Sequence, residues 1–155
     1  MSGELTNWDI NAYYKGNKNY GGCLSKDQLT MAPANKFYIV NMEDSHLPGS
    51  HWVLVYDGAL LQTEKHVSSC FYFDSYGISP PPPIRDFMRR SKKRLCYSDA
   101  QYQMINTSTC GVFCIYVANE LLRGKTPLEV ITRSLVEKEP AKNEIIMRNL
   151  IPSIV

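Results

Sequence analysis

Asn106-Thr107-Ser108-Thr109-Cys110-Gly111-Val112-Phe113-Cys114-Ile115-Tyr116-Val117 is the stretch on which the reading of this chain turns. A short polar loop runs into a cysteine and a glycine. An apolar run then carries on to Leu122, with Gly124 as its stop. The pattern predicts a helix over Cys110–Leu122, the best helix in the chain. A cysteine on the first turn of a helix sits at the positive end of the helix dipole, which favours thiolate over thiol. The thiolate is the nucleophilic form. From this stretch alone the commoner reading is blander: free cysteine is among the most buried residue types, and Cys110 reads as a small core residue.

Upstream of this helix, short apolar runs alternate with turns. Lys36–Asn41, His51–Tyr56 and Cys70–Asp74 read as strands, the last two ended by Asp57-Gly58 and by Ser75-Tyr76-Gly77. A further strand candidate lies within Arg94–Met104. Leu5–Tyr14 reads as a short amphipathic helix with Leu5, Trp8, Ile10 and Tyr13 as its apolar members. Gly16–Gly22 reads as loop, Ser25–Leu29 as a capped turn of helix and Asp44–Ser50 as loop. Pro80–Pro83 is a stiff extended segment that cannot be a helix interior. Ile84–Lys93 reads as a basic amphipathic helix, and two more helices fall around Leu128–Glu137 and Lys142–Leu150. Helices, then strands, then helices predict an α+β fold rather than an alternating doubly wound sheet.

At 155 residues the chain holds one domain, 1–155, with a real core. Hydrophobic and charged contents of 44% and 21% are ordinary for a soluble protein. No apolar run is long enough to cross a membrane, and the first residues lack the basic and apolar regions of a signal peptide, so an intracellular protein is expected. Five cysteines, at 23, 70, 96, 110 and 114, are an odd number with no C-x-x-C pair. That excludes a disulfide framework and argues against zinc. A net charge of +2 is too small for a dedicated nucleic-acid binder. The charge is uneven, however. Arg85, Arg89, Arg90, Lys92, Lys93 and Arg94 crowd together against Asp86 alone. That run is either a solvated helix face or a set of phosphate contacts.

A nucleophilic cysteine needs a base, a group to orient the base, and donors for the oxyanion. Of three histidines, His46 and His66 sit in polar surroundings, whereas His51 opens an apolar strand and is followed by Trp52. Asp74 closes the next apolar strand. Paired strands ending in His and Asp bring imidazole and carboxylate within hydrogen-bond reach. Gln103 precedes Cys110 by seven residues, and its amide could donate to an oxyanion beside the Cys110 N–H. Each residue has a bland reading: His51 as a structural histidine, Asp74 as a turn residue, Trp52 as a core aromatic.

In the order His, Asp, Gln, Cys-Gly, the sequence resembles the adenovirus-type endopeptidases and the related SUMO-specific proteases. The matching elements are Gly49-Ser50-His51-Trp52, Tyr72-Phe73-Asp74-Ser75-Tyr76-Gly77, Gln103 and Cys110-Gly111-Val112-Phe113-Cys114, within residues 20–122. The seven-residue step and the Cys-Gly-x-Phe-Cys string look more like the adenovirus branch. The resemblance implies a papain-like α+β cysteine protease fold of the adenovirus endopeptidase type, in circularly altered order, with a central mixed sheet flanked by helices. It implies Cys110 as nucleophile, His51 as base and then acid, Asp74 as orienter and Gln103 as oxyanion donor. It places Gly49, Ser50 and Trp52 at the substrate, with small residues, especially Gly, next to the cut.

The resemblance further implies that the chemistry needs no cofactor. The adenovirus enzymes are stimulated by a short peptide, bound through a disulfide, and by DNA. Cys96 lies in the general region of the cysteine used there but at a different spacing, so the disulfide is not carried over. Implied partners are viral capsid or core precursor proteins, with DNA at the basic run and no membrane. The expected state is a monomer in the host nucleus and the virion. Two rivals remain open: a protease of ubiquitin or SUMO conjugates, and a DNA-binding virion protein on an inactive protease scaffold.

Overall fold

The apolar strand runs have side chains pointing to both faces of a sheet, and both faces are covered. The computed structural model describes residues 4–46, 51–58, 69–135 and 139–155. Its elements are α1 (Asn7–Tyr13), β1 (Tyr20–Ser25), β2 (Phe37–Asn41), β3 (Trp52–Asp57), β4 (Ser69–Phe73), α2 (Pro82–Arg89), β5 (Arg94–Tyr97), α3 (Cys110–Leu122), α4 (Pro127–Glu129) and α5 (Pro140–Ile154). The strands form one mixed sheet in the order β1-β2-β3-β4-β5. The outer pairs, β1 with β2 and β4 with β5, are parallel, and the inner pairs are antiparallel.

Alternation assigns each strand residue to a face. Phe37, Ile39, Leu54, Tyr56, Phe71 and Phe73 pack with α3, α1 and α5 in one core. Tyr38, Val40, Val53, Val55, Cys70 and Tyr72 pack with Ile84, Phe87 and Met88 of α2 in the other. Helix α3 is apolar nearly all round because it lies between the sheet and the outer helices. Each fully buried Phe or Leu here contributes about 2–3 kcal/mol.

The core strands and α3 stand where the sequence predicts them. Three elements differ. Residues 16–22 were expected to be loop, yet β1 begins at Tyr20. The register shifts between Tyr20 and Gly22, so Gly21 sits at an irregularity of the kind glycine favours in strands. Helix α2 begins at Pro82, not Ile84. Pro82 and Pro83 fill its first turn, where missing N–H groups cost nothing. It also ends at Arg89 rather than Lys93, and Lys92 turns left-handed (φ 57°) ahead of β5. The helix expected over 128–137 is α4 followed by a π-turn, Val130–Ser134, and Leu135 is already extended. Its end at 136–137, His66 and Leu47–Ser50 lie outside the described residues. Ile10 of α1 and Leu5 just before it are buried, but Trp8 faces outward.

The basic run divides. Arg90 donates to the carbonyls of Leu29 and Met31, and Arg85 donates to that of Pro80. Lys93 pairs with the buried carboxylate of Asp57 and donates to Asn35 Oδ1 at 2.9 Å. Arg89, Lys92 and Arg94 are exposed.

Two stability predictions follow from this packing. A Cβ on Gly21 would run into the ring of Tyr38. That ring is held by its hydroxyl donating to Pro33 O at 2.8 Å and by an edge contact with Phe87. Gly21→Ala is therefore expected to lower unfolding free energy by about 1–3 kcal/mol, read from the denaturation midpoint. Lys93→Met strands the Asp57 carboxylate, which is 1% exposed, and should cost on the order of 3 kcal/mol by the same measurement.

Candidate active site

Helix α3 starts at Cys110, and its apolar body fixes where that start can lie. The Trp52 N–H donates to Cys110 Sγ at 3.4 Å. Glycine at 111 allows a close approach. A Cβ there would sit 3.2 Å from the Trp52 ring and 3.3 Å from Leu5. The Trp52 indole N–H donates to Leu5 O at 3.0 Å, so the segment before α1 is tied across the helix start. A cleft of about 450 Å³ opens beside the sulfur, lined by Leu5, Cys23, Ser25, Asn41, Trp52 and Ser108 among others.

His51 stands just before β3 and Asp74 just after β4. Because the two strands are antiparallel, with Leu54 opposite Phe73, those ends coincide. His51 Nε2 and Asp74 Oδ1 are 2.8 Å apart, and the carboxylate is 1% exposed. Cys110 lies near enough to act on the same ring, and Asp74 leaves Nδ1 of that ring free for it. Burial pulls the His51 pKa down, but the bonds to Asp74 and Cys110 and their charges outweigh it and raise the value to about 9. The Tyr76 ring stacks on the imidazole, centroids 4.9 Å apart and planes at 28°. The Tyr76 N–H donates to Asp74 Oδ1 at 2.8 Å, so one residue steadies both members of the pair.

Gln103 is fully buried. Its Oε1 accepts from Ser75 Oγ at 2.5 Å, and its Nε2 donates to Thr107 O at 3.1 Å and to Thr107 Oγ1 at 2.9 Å. The amide hydrogens expected to meet an oxyanion are thus directed at the loop before Cys110. Tyr102 and Gln103 donate their backbone N–H groups to Ser75 O at 2.8 and 3.1 Å, which joins that loop to the segment carrying Asp74.

The structure thus brings His51, Asp74 and Cys110 together, with Trp52 on the cleft wall and Gln103 one shell away. Gly49 and Ser50 lie outside the described residues. Sequence reasoning assigned no role to Tyr76, Ser75 or Thr107. The Asp-Ser-Tyr string after β4 was visible, but only the fold shows that the tyrosine turns back onto the imidazole.

Thr109, next to the sulfur, has its hydroxyl donated to Glu144 Oε2 of α5 at 2.6 Å. The other thiols are held protonated by burial: those of Cys23 and Cys70 are pushed up to about 12, and those of Cys96 and Cys114 are also raised. All five cysteines are free. Among the described residues, no group of three or more His, Cys, Asp or Glu side chains could hold a metal ion, and no helix is long and apolar enough to cross a membrane.

No protein-family model matches the sequence, and no curated protein matches it. Solved structures do. The crystal structure of the ASFV pS273R protease is 16% identical with a TM-score of 0.62, covering 92% of this chain and 66% of that one. Its selenomethionine form is 18% identical with a TM-score of 0.57, covering 90% and 65%. The chain thus spans about 66% of the length of the protease it matches. The likeness is one of fold: a central five-stranded mixed sheet with flanking helices, the papain-like protease fold of that structure.

Proposed function

We propose that the chain is a cysteine endopeptidase with Cys110 as nucleophile, His51 as general base and acid, and Asp74 as orienter. The observation that carries this reading is the part-buried His51–Asp74 pair, 2.8 Å apart, with Cys110 close enough to act on the same ring. The Cys110 proton passes to His51, before substrate arrives as an ion pair or as the reaction begins, and the thiolate attacks the peptide carbonyl carbon. The carbonyl oxygen takes the charge and is met by N–H groups at the start of α3. As the C–N bond breaks, the His51 imidazolium protonates the leaving amine. Water activated by the neutral ring then releases the acyl group. For Gln103 to join the oxyanion donors, one of its bonds to Thr107 has to open.

The finer reading is a viral-type enzyme that cuts capsid or core precursors beside Gly in the host nucleus and the virion. It is supported by the seven-residue step from Gln103 to Cys110 and the Cys-Gly-x-Phe-Cys string. Arg89, Lys92 and Arg94 are the cations of the basic run most open to DNA phosphates. Matched panels of viral precursor peptides and ubiquitin-like conjugates decide between this substrate class and its rival.

Iodoacetamide at neutral pH, with the modified residue located by mass, is expected to capture Cys110 first, because burial holds the other four thiols protonated. His51→Ala should slow that capture at least about tenfold and reduce peptide turnover by about 10³-fold or more. Equal labelling of all five thiols would overturn the reading.

The pH profile makes a second demand. The leaving amine needs protonated His51, so kcat/KM should fall as pH rises through about 9. The stability linked to this raised pKa has the same sign: it is full below about 6.5 and lost as pH rises through about 9. Asp74→Asn removes the carboxylate charge and leaves the burial, so the alkaline limb should move to lower pH. A limb that stays near 9 would show that Asp74 does not set it.

A further inference from the structure

A threonine immediately before a helix normally turns its hydroxyl onto the first-turn N–H groups and caps them. Thr109 occupies that position before α3, yet makes no side-chain capping bond. Its hydroxyl is donated to Glu144 Oε2 at 2.6 Å instead. Its backbone is also displaced from the extended region typical of such a cap, with φ −92° and ψ 11°. That is the sparsely populated bridge region, where a residue persists only when its surroundings hold it. Thr109 is fully buried and Glu144 nearly so. Arg148 Nε donates to Glu144 Oε1 at 3.0 Å, which compensates the carboxylate. Asn143, the neighbouring residue of α5, donates to Tyr102 O at 3.1 Å and so braces the other end of the same loop.

We infer that Glu144 is a positioning residue for the reaction: by holding the Thr109 hydroxyl on α5, it keeps that hydroxyl from capping the start of α3 and leaves the approach to the Cys110 N–H open for the substrate oxyanion. The inference rests on the protease reading above. A hydroxyl seated on the N–H of Gly111 or Val112, the donors a capping side chain takes, would stand at the helix end beside the Cys110 N–H, where the oxyanion has to come. The device lies in α5, far along the chain from His51, Asp74 and Cys110. The nucleophile itself does not depend on it.

That separation gives the test. Alkylation by iodoacetamide forms an S–C bond as iodide leaves and creates no oxyanion. Peptide hydrolysis and addition of a peptide aldehyde both convert a carbonyl oxygen into one. Glu144→Ala is expected to lower kcat about 10- to 100-fold and to weaken the aldehyde by a similar factor. KM should change less than about threefold and Cys110 alkylation less than about twofold. Glu144→Gln, whose amide oxygen still accepts the hydroxyl, should recover most of the loss. Thr109→Val placed in Glu144→Ala should also recover turnover, because no hydroxyl remains to cap the helix. If Glu144→Ala does not fold, Glu144→Met fills the space, accepts no such bond and carries the same expectations.

Parallel loss of alkylation and turnover would mark a purely structural role and overturn the inference. So would unchanged turnover, or failure of Thr109→Val to recover it. A wild-type protein that neither cleaves peptide nor takes iodoacetamide at Cys110 would overturn the protease reading instead.

Discussion

The pairing of β3 with β4 is the constraint on which the site depends. His51 and Asp74 are 23 residues apart, and only the antiparallel register, Leu54 opposite Phe73, brings their side chains to 2.8 Å. That register is enforced by the two cores. A slip of one residue would send Leu54, Tyr56, Phe71 and Phe73 to the face occupied by Val53, Val55, Cys70 and Tyr72, and the converse. Both faces are apolar, so alternation alone does not forbid the slip. Shape does: aromatic side chains dominate the β4 face toward α3, and smaller aliphatic ones line β3 toward α2. The geometry of a proton-transfer pair is thus inherited from packing that involves neither of its members.

The third member arrives by a different route. Cys110 is placed by α3, whose apolar circumference is gripped by the sheet on one side and by α1 and α5 on the other. Close approach at Gly111 lets Trp52 and Leu5 lie against the helix start, and the Trp52 N–H reaches the sulfur. A strand end and a helix end are rigid mounts, which is what a reaction requiring alignment of sulfur, imidazole and carboxylate needs.

Legibility in the sequence followed the range of the interaction. Helix α3 was readable to its last residue because its signals are local: a polar loop, an apolar run and a glycine stop. The strands carrying His51 and Asp74 were readable from apolar runs bounded by turns. Strand β1 was hidden because Gly21 and Gly22 look like loop, whereas Gly21 makes room for the Tyr38 ring on the neighbouring strand and Gly22 adopts a positive φ of 136°. The basic run was legible only in part, for the same reason. Read locally it is a charged helix face, but Arg90, Arg85 and Lys93 are committed to carbonyls and to Asp57, and a contact 36 residues away leaves no local pattern. Tyr76 on His51 and Glu144 on Thr109 belong to the same class.

Two buried carboxylates at opposite ends of the β3–β4 pair show how one environment serves two purposes. Asp57 closes β3 and Asp74 follows β4, and each is about 1% exposed. A buried carboxylate without a cation is strongly destabilising, so each must have a partner. Asp57 has a lysine, Lys93. It also accepts the Asn35 N–H at 3.0 Å and so organises the turn before β2. Asp74 has a histidine, the one side chain whose ordinary titration falls near neutrality. The first pair can only hold. In the second, the carboxylate, together with Cys110, raises the imidazole pKa to about 9, and the resulting cation can still give its proton to a leaving group. Stability at one end of the strands and reactivity at the other therefore differ by the choice of cation, with burial and strand geometry held nearly constant.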